Sequence, residues 1–410
     1  MGWLDECMEK TIGYVSPGPS LRRFLATASG RRVQKELSRE SGRMNVFGAG
    51  KASAGFAESF TSLFDNVESC EMNGPESYRR GKVKVQKCSH PLPDAETVKN
   101  TAAIVESAQQ RDEDDAVVFL LSGGASSMFA LPHELTSLDE KREISRQLMN
   151  RGAGISELNC VRRHISAVKG GRFAARLFPR RMHTFMISDV PTGIIEDVGS
   201  GPTMPDRTTC LDALRILRKY RLVTKLERST RAGLENRLLE SMKKGDVGVS
   251  HSAVHTVASN SDAIVRFASL SRMYGMHAAV CKSALAGDPQ MAAKRLIAEG
   301  RRVIGGRGIL VAGGELTLRV PEGAHGGRCQ HFALAGSPFL RKDELLIAFG
   351  TDGVDGNSMF AGAVGFPSSR APDNYLRSRQ SEEYFENAGT GIVTGRTGTN
   401  VSDIYVYCRL

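Results

Sequence analysis

Seven short apolar runs, each stopped by glycine or by charge, constrain this chain more than any other feature. They are Met44 to Phe47, Ala116 to Leu121, Thr184 to Ile187, Val254 to Ala258, Gly308 to Val311, Leu345 to Phe349 and Ile404 to Tyr407. Nearly continuous apolar stretches of this length read as strands buried on both faces. Helical spacing lies between them, at Ala95 to Ser107, Asp139 to Asn150, Cys210 to Tyr220 and Met291 to Glu299. That alternation predicts an α/β protein with largely parallel sheets. A chain of 410 residues exceeds one ordinary core, so two domains are expected. The charged stretch from Leu222 to Asp246 places the boundary, giving domains 1–245 and 246–410.

Hydrophobic residues at 40% and charged residues at 24% suit a globular chain. The net charge of +10 favours anionic partners. No eighteen-residue apolar run calls for a membrane helix, and MGWLDECMEK lacks the apolar core of a secretory signal. Eight cysteines without a CxxC pair point to core thiols in a reduced compartment, not to a disulfide framework or zinc site. The terminal Cys408-Arg409-Leu410 has the small-basic-leucine form of a peroxisomal address. It adds peroxisome-like organelles, glycosomes included, to a cytoplasmic default, with an import receptor as partner; the competing reading is a terminal strand. His251 and His255 share the i, i+4 spacing of a metal pair, but on a strand those positions do not meet, so structural histidines are expected.

Chemistry concentrates where strands end in glycine. LLSGGASSMF lacks the Gly-x-Ser-x-Gly of a nucleophile elbow. Glycines straight after a strand let backbone amides approach an anion, so Ser122, Gly123, Gly124 and Ser126 read as a phosphate cradle. The alternative is a tight turn with a serine cap. In NVFGAGKASAGF, Gly48-x-Gly50 half-resembles a dinucleotide fingerprint, but Gly55 comes late and no acid-ended strand clearly follows. Lys51 stands in the first turn after that loop, poorly placed for the helix dipole unless an anion offsets it. No Walker A motif occurs. CVRRHISAVKGGRFAARLF reads as a helix weakened by Gly170-Gly171, with Arg162, Ser166, Lys169 and Arg172 on one face. Without interleaved aromatics this stripe suits a small anion and not nucleic acid.

Acids follow apolar strands at Asp189, Glu315, Asp352 and Asp355. Such acids near a phosphate cradle can hold Mg²⁺ or accept a hydroxyl proton. With Lys51 and Arg328 they form a set suited to phosphoryl transfer, which needs positioning and charge neutralisation more than a covalent catalyst.

These motifs coincide with a known family. FGAGKA, SHPLPD, FLLSGGASS, ELNCVRRHISAVKGGRFA, ISDV, SGPTMPD, VAGGELT, GGRCQHFALA, GTDGVDG and TGTNVSD occur in an order that resembles the type II glycerate kinases, the MOFRL family of glycerate 2-kinases, from about residue 40 onward. The resemblance implies a Rossmann-like N-terminal domain, a C-terminal MOFRL domain and an active site in the cleft between them. It implies ATP-dependent phosphorylation of D-glycerate with a divalent metal, typically at the 2-hydroxyl. The family's essential lysine falls on Lys51, its arginine on Arg328, its SGG loop on Ser122 to Gly124 and its GTDG acid on Asp352. The chain departs from the family at Ala125, Thr192-Gly193, Cys329, His331 and in DGNSMF and TGR, changes that bear on metal ligation and substrate preference more than on fold.

The resulting expectation is a glycerate kinase using ATP and Mg²⁺. Lys51 and Arg328 neutralise phosphoryl charge, Asp189 orients the attacking hydroxyl, and Asp352, Asp355 and Glu315 form the metal set. Arg162, Lys169 or His90 holds the glycerate carboxylate. A homodimer is compatible with this reading; nucleic acid and membrane are not expected partners. Two alternatives stand beside it: a hydroxypyruvate reductase holding NAD(P)H at the GAGKA turn, and a binding protein that kept the fold and lost catalysis.

Overall fold

The computed structural model describes residues 2–39, 42–190, 193–321, 323–368 and 373–410. The chain forms two compact units. One comprises Leu21–Ile187 and Ile194–Val257; the other comprises Met1–Ser20, Ser188–Gly193 and Ala258–Leu410. The first twenty residues therefore belong with the C-terminal part of the chain.

The sheet of the first unit contains β1 (Met44–Ala49), β2 (Val67–Gly74), β3 (Tyr78–Arg80), β4 (Val83–Lys87), β5 (Ala116–Leu121), β6 (Met182–Ile187) and β7 (Ser252–Ala258). Their order is β3-β4-β2-β1-β5-β6-β7. From β4 through β6 every pairing is parallel, whereas β3 pairs antiparallel with β4. Every residue of β1, β5 and β6 is buried, which is why these strands show continuous apolar runs. Helices Ser53–Thr61 and Ala95–Gln109 pack against β1 and β2. A second layer of helices, Leu138–Asn150, Ile155–His164, Cys210–Lys219 and Arg228–Glu235, buries Ile144, Leu148, Val161, Leu214, Leu217 and Leu234 in a cluster of its own.

The other unit holds β8 (His277–Val280), β9 (Leu285–Gly287), β10 (Gly308–Leu316), β11 (Glu344–Gly350), β12 (Gly362–Gly365), β13 (Gly391–Ile392) and β14 (Asp403–Arg409). The order is β13-β12-β11-β14-β10-β8, with β9 also on β10. Only β8 and β9 run parallel to β10; the pairings of β14 with β10 and β11, and those of β12, are antiparallel. The expectation of largely parallel sheets thus fails here. The apolar runs report burial on both faces, and helices Asn260–Met273 and Pro289–Val303 supply it for strands of either direction. Leu296, Leu310, Phe332, Leu346, Tyr405 and Tyr407 form the core of this unit.

No described helix is long and apolar enough to cross a membrane. All eight cysteines are free thiols. His255 lies on β7, its Nε2 3.1 Å from His183 Nδ1 and its ring against Phe24 and Phe185, which is the packing of a structural histidine. Cys408 is buried in β14, opposite Ile309 and Leu345, and Arg409 pairs with Asp343.

Candidate active site

Strands β1 and β5 are parallel neighbours with Ala49 opposite Leu121, so their glycine loops begin side by side. Because β2 and β5 flank β1 on opposite sides, the winding diverges between β1 and β5. That divergence creates the crevice in which open α/β sheets bind ligands.

Backbone hydrogen bonds stitch the two loops together. Ser122 N donates to Ala49 O at 3.1 Å, Lys51 N to Gly123 O at 2.8 Å, and Ala52 N to the Ser122 hydroxyl at 3.1 Å. Gly50 N donates to Asn73 O at 3.1 Å. Gly50 has φ +138°, and a Cβ there would lie 2.2 Å from Ser122 Oγ, so only glycine closes this junction. Gly124 has φ +82°; Lys51 Cγ and His90 Cδ2 stand 3.1 and 3.4 Å from where its Cβ would be. The fold therefore gathers Lys51, His90 and the SGG turn at one point.

The two loops differ in what they leave open. The amides of Gly50, Lys51 and Ala52 are all consumed internally. Among the described residues, the amides of Gly123, Gly124 and Ser126 have no acceptor, while Ala125 N bonds Ser122 O. Unpaired amides on a glycine turn suit anion oxygens. The Ser126 hydroxyl lies 2.9 Å from Ser200 Oγ and accepts from Arg162 Nη1 at 3.3 Å.

Arg162 has no carboxylate partner among the described residues; burial alone lowers its guanidinium to about 10. It is held from behind by a polar chain. Ser200 donates to Asn159 Oδ1 (2.9 Å), Asn159 donates to Asp197 (3.1 Å), and Arg163 bridges Asp197 (2.6 Å) and Asp206 (3.2 Å). Sequence reasoning assigned no role to Asn159, Ser200, Arg163 or Asp206, although both ELNC and SGPTMPD stood out as family stretches.

Two expectations about the basic stripe change. The helix ends at His164 and a short one restarts at Arg172, because Gly170 and Gly171 both take positive φ. Lys169 between them is fully buried, its ammonium donating to Phe129 O and Gly199 O at 3.1 Å each. Burial, then Lys141 and Arg162, holds it well below the usual lysine range. Lys169 is thus a strut joining the ends of two loops, with no surface left for a substrate carboxylate.

In the other unit, Arg328 opens the helix Arg328–Gly336. Its Nε and Nη2 donate to the two oxygens of Asp403 at 2.6 and 3.1 Å, and Nη1 donates to Glu315 at 2.6 Å. Tyr405 donates to the same Asp403 from behind at 2.7 Å. Burial disfavours the charge, but Asp403 and Glu315 outweigh it and raise the guanidinium above its ordinary value. Glu315, expected in the metal set, is a partner of Arg328 through one oxygen. Asp355, also expected in the metal set, has a buried carboxylate that accepts from Cys329 N (3.0 Å) and Gln330 N (2.8 Å), capping the helix that bears Arg328. Burial pushes it up to about 7, against those two hydrogen bonds. Asp352, in the turn after β11, and Asp189, just past β6, are half-buried. The departures Cys329 and His331 lie buried in the Arg328 helix; Thr192 falls outside the described residues.

Two family models match the chain, a domain of unknown function (DUF4147) over residues 3–235 and the MOFRL family over residues 308–403. A D-glycerate 2-kinase of Thermotoga maritima is 32% identical over 339 residues, 79% of each chain. A protein of Agrobacterium vitis named putative hydroxypyruvate reductase is 34% identical, covering 89% of this chain and 87% of its own. The crystal structure of a Thermotoga maritima glycerate kinase superimposes with a TM-score of 0.84 at 29% identity, over 99% of this chain and 98% of that one. With SGG turn, GGR arginine and both domain models in place along its length, this chain belongs to the type II glycerate kinases, the MOFRL family of glycerate 2-kinases.

Proposed function

We propose that this protein transfers the γ-phosphoryl group of ATP to D-glycerate, at the 2-hydroxyl, giving 2-phosphoglycerate. The observation that carries the reading is the SGG turn: three amides without acceptors among the described residues, beside Lys51 and next to an arginine that pairs with no described carboxylate. In this reading the amides of Gly123, Gly124 and Ser126 receive phosphate oxygens, and the Lys51 ammonium offsets phosphoryl charge as it shifts. Arg162 takes the glycerate carboxylate, which suits a planar fork. His90, at the edge of Gly124, adds a second donor there. Asp189 accepts the proton of the attacking hydroxyl. Arg328, fixed by Asp403 and Glu315, presents its charge in one orientation.

Mg²⁺ fits this donor set. It takes one or two carboxylates and leaves its other positions to phosphate oxygens and water. Asp352, whose Oδ1 accepts from Val354 N at 3.2 Å, would hold it; Asp355 accepts from two backbone amides and Glu315 pairs with Arg328. Bound there, it would neutralise charge on the phosphate oxygens.

The reductase reading is favoured by the name of the Agrobacterium relative. Against it, the GAGKA amides that would cradle a dinucleotide pyrophosphate are spent on Asn73, Gly123 and Ser122. One experiment separates these readings. Purified protein is given D-glycerate with MgATP and, in parallel, hydroxypyruvate with NADH, and products are read by phosphorus NMR and NADH absorbance. A 2-phosphoglycerate signal is expected. NADH oxidation alone would install the reductase, and silence in both tubes with tight ATP binding would install the binding protein. Lys51→Ala should cost about 10²–10³ in kcat; unchanged turnover would remove the charge-neutralising role.

Localisation to a peroxisome-like organelle is supported by the CRL tripeptide alone. With Cys408 inside β14, a receptor would have to draw out the end of a paired strand. A fluorescent protein fused at the C-terminus should abolish import if the address operates, and an N-terminal fusion should not.

A further inference from the structure

Away from the glycine loops, three side chains with ligand chemistry meet at the end of the helix that carries Arg162. His164 is the last residue of that helix, Cys210 is the first residue of Cys210–Lys219, and both are completely buried. Glu240 comes from the segment after Arg228–Glu235. One imidazole nitrogen, the Cys210 sulfur and one Glu240 oxygen lie within 4.8 Å of one another.

The hydrogen bonds of His164 pose a problem that a cation solves. Its Nδ1 lies 2.8 Å from the Cys160 carbonyl oxygen and its Nε2 3.1 Å from Glu240 Oε1. Both partners are acceptors, and a neutral imidazole has one N–H. The carbonyl claims that proton on Nδ1, so Nε2 turns a lone pair towards an anionic oxygen. Two acceptors at this distance are relieved by a second ring proton or by a cation beside them, and the Lys243 ammonium, 2.6 Å from the same oxygen, already marks the place as one that draws positive charge.

We infer that His164 Nε2, Cys210 Sγ and Glu240 form a structural site for a divalent transition metal of the zinc class. Nitrogen, sulfur and carboxylate oxygen together suit a borderline-soft ion in tetrahedral geometry, with a fourth position for water. Two ligands about 2.0–2.1 Å from one tetrahedral ion stand roughly 3.3–3.4 Å apart, so the 3.1 Å between His164 Nε2 and Glu240 Oε1 needs only a few tenths of an ångström of opening to admit one. An Nδ1–H held by a main-chain carbonyl is the arrangement that orients metal-binding histidines. Charge also balances: thiolate and carboxylate together neutralise the ion. On binding, the sulfur–hydrogen bond is replaced by a sulfur–metal bond and the thiol proton leaves to solvent.

Lys243 is the built-in competitor. Its ammonium lies 2.6 Å from the same Glu240 Oε1, and it also donates to Ser241 Oγ at 2.7 Å and to Thr208 O. Those two acceptors retain the lysine when the metal takes Glu240. The other carboxylate oxygen keeps its bond from Cys210 N at 3.2 Å. A metal here ties the Arg162 helix to two further segments of the same unit, two residues downstream of Arg162 itself.

The test uses full-length protein stripped with a chelator and titrated with Co²⁺ in the absence of nucleotide. Thiolate-to-cobalt charge transfer should appear in the near ultraviolet, saturate at one equivalent and be bleached by one equivalent of Zn²⁺. It should be lost in Cys210→Ser. Since a change at a buried cysteine can unfold the chain, Lys243→Gln is the second variant: it keeps all three ligands, removes the competitor and should shift the titration to lower Co²⁺. A wild-type protein without the thiolate band would overturn the site, leaving a protonated His164 bound to Glu240. So would a band that survives in folded Cys210→Ser, a Lys243→Gln titration that does not move, or cobalt showing only the weak bands of all-oxygen ligation.

Discussion

Arg162 and Arg328 are half-buried arginines expected to meet anionic groups of the same reaction, and the protein treats them in opposite ways. Arg328 is saturated: Asp403 grips it through two oxygens and Glu315 through a third. Arg162 has one hydroxyl, Ser126, and stands by Lys141 and Lys169 with no carboxylate to answer it among the described residues. Burying an uncompensated charge is costly. A fold that keeps one beside unpaired amides has left room for an anion. In the proposed reaction the paired arginine would be an instrument held in position and the other a receptor, so the difference would separate orientation from binding.

The sharpest break between them comes from deleting each guanidinium. Arg328→Ala should strip Asp403, which is buried, of its counter-charge. It should lower both turnover, by about 10²–10³ in kcat, and thermal stability. Arg162→Ala leaves no carboxylate stranded. It should raise the KM for glycerate about 10- to 100-fold, in line with roughly 1.5–3 kcal/mol for a charge-assisted hydrogen bond, with melting temperature unchanged or higher. Steady-state kinetics and thermal melts on the same preparations decide the matter. If Arg162→Ala destabilised the fold while sparing KM, the receptor role would be lost.

Much of this was legible in the residues, and the limits are physical. The strands around the site announced themselves because burial on both faces leaves an apolar run, and the glycine loops because Gly50 and Gly124 meet geometric demands that other residues cannot. β2 was missed: in VESCEMNG, Glu68 reaches Arg43 and Glu71 reaches Arg111, so polar residues interrupt the pattern of a strand that lies beside β1. Lys169 and Asp355 looked like site residues because type and spacing say nothing about which way a side chain is buried. Each turned out to bind backbone, one through two carbonyls and the other through two amides. Ser200 and Asn159 gave no chemical signal by type, since their role is to position Ser126.

The Ser126 link offers a smaller test. Ser126→Ala removes the hydroxyl that joins Arg162 to Ser200 but leaves the amide of residue 126 for the phosphate. A rise in glycerate KM of about tenfold or less, near 1 kcal/mol, is expected with the KM for ATP little changed. Equal effects on both substrates would mean that the hydroxyl serves the phosphate instead, and the division of the site would need redrawing.

The smallest effect expected concerns stability and pH. Lys141 is buried, with Ile165 O as its acceptor at 3.2 Å, and burial, then Arg162 and Arg172, bring it down to about 7 from an ordinary 10.5. Between those values the unfolded chain holds a proton that the folded chain has released, so stability should rise as pH increases from about 7 towards 10. Lys141→Met keeps the volume and leaves the Ile165 carbonyl satisfied by His133 N. It should reduce that rise, leaving the part that buried Lys169 contributes, and be at least as stable as the wild type at neutral pH. Adding glycerate sharpens the comparison further: an anion on Arg162 offsets a charge that disfavours Lys141 protonation, so ligand should weaken the pH dependence of wild-type melting. Melts at pH 7 and 9 that show no rise in the wild type would place the uncompensated charge elsewhere than around Arg162, and a rise undiminished in Lys141→Met would assign it to Lys169, which burial, Lys141 and Arg162 also hold below the usual lysine range.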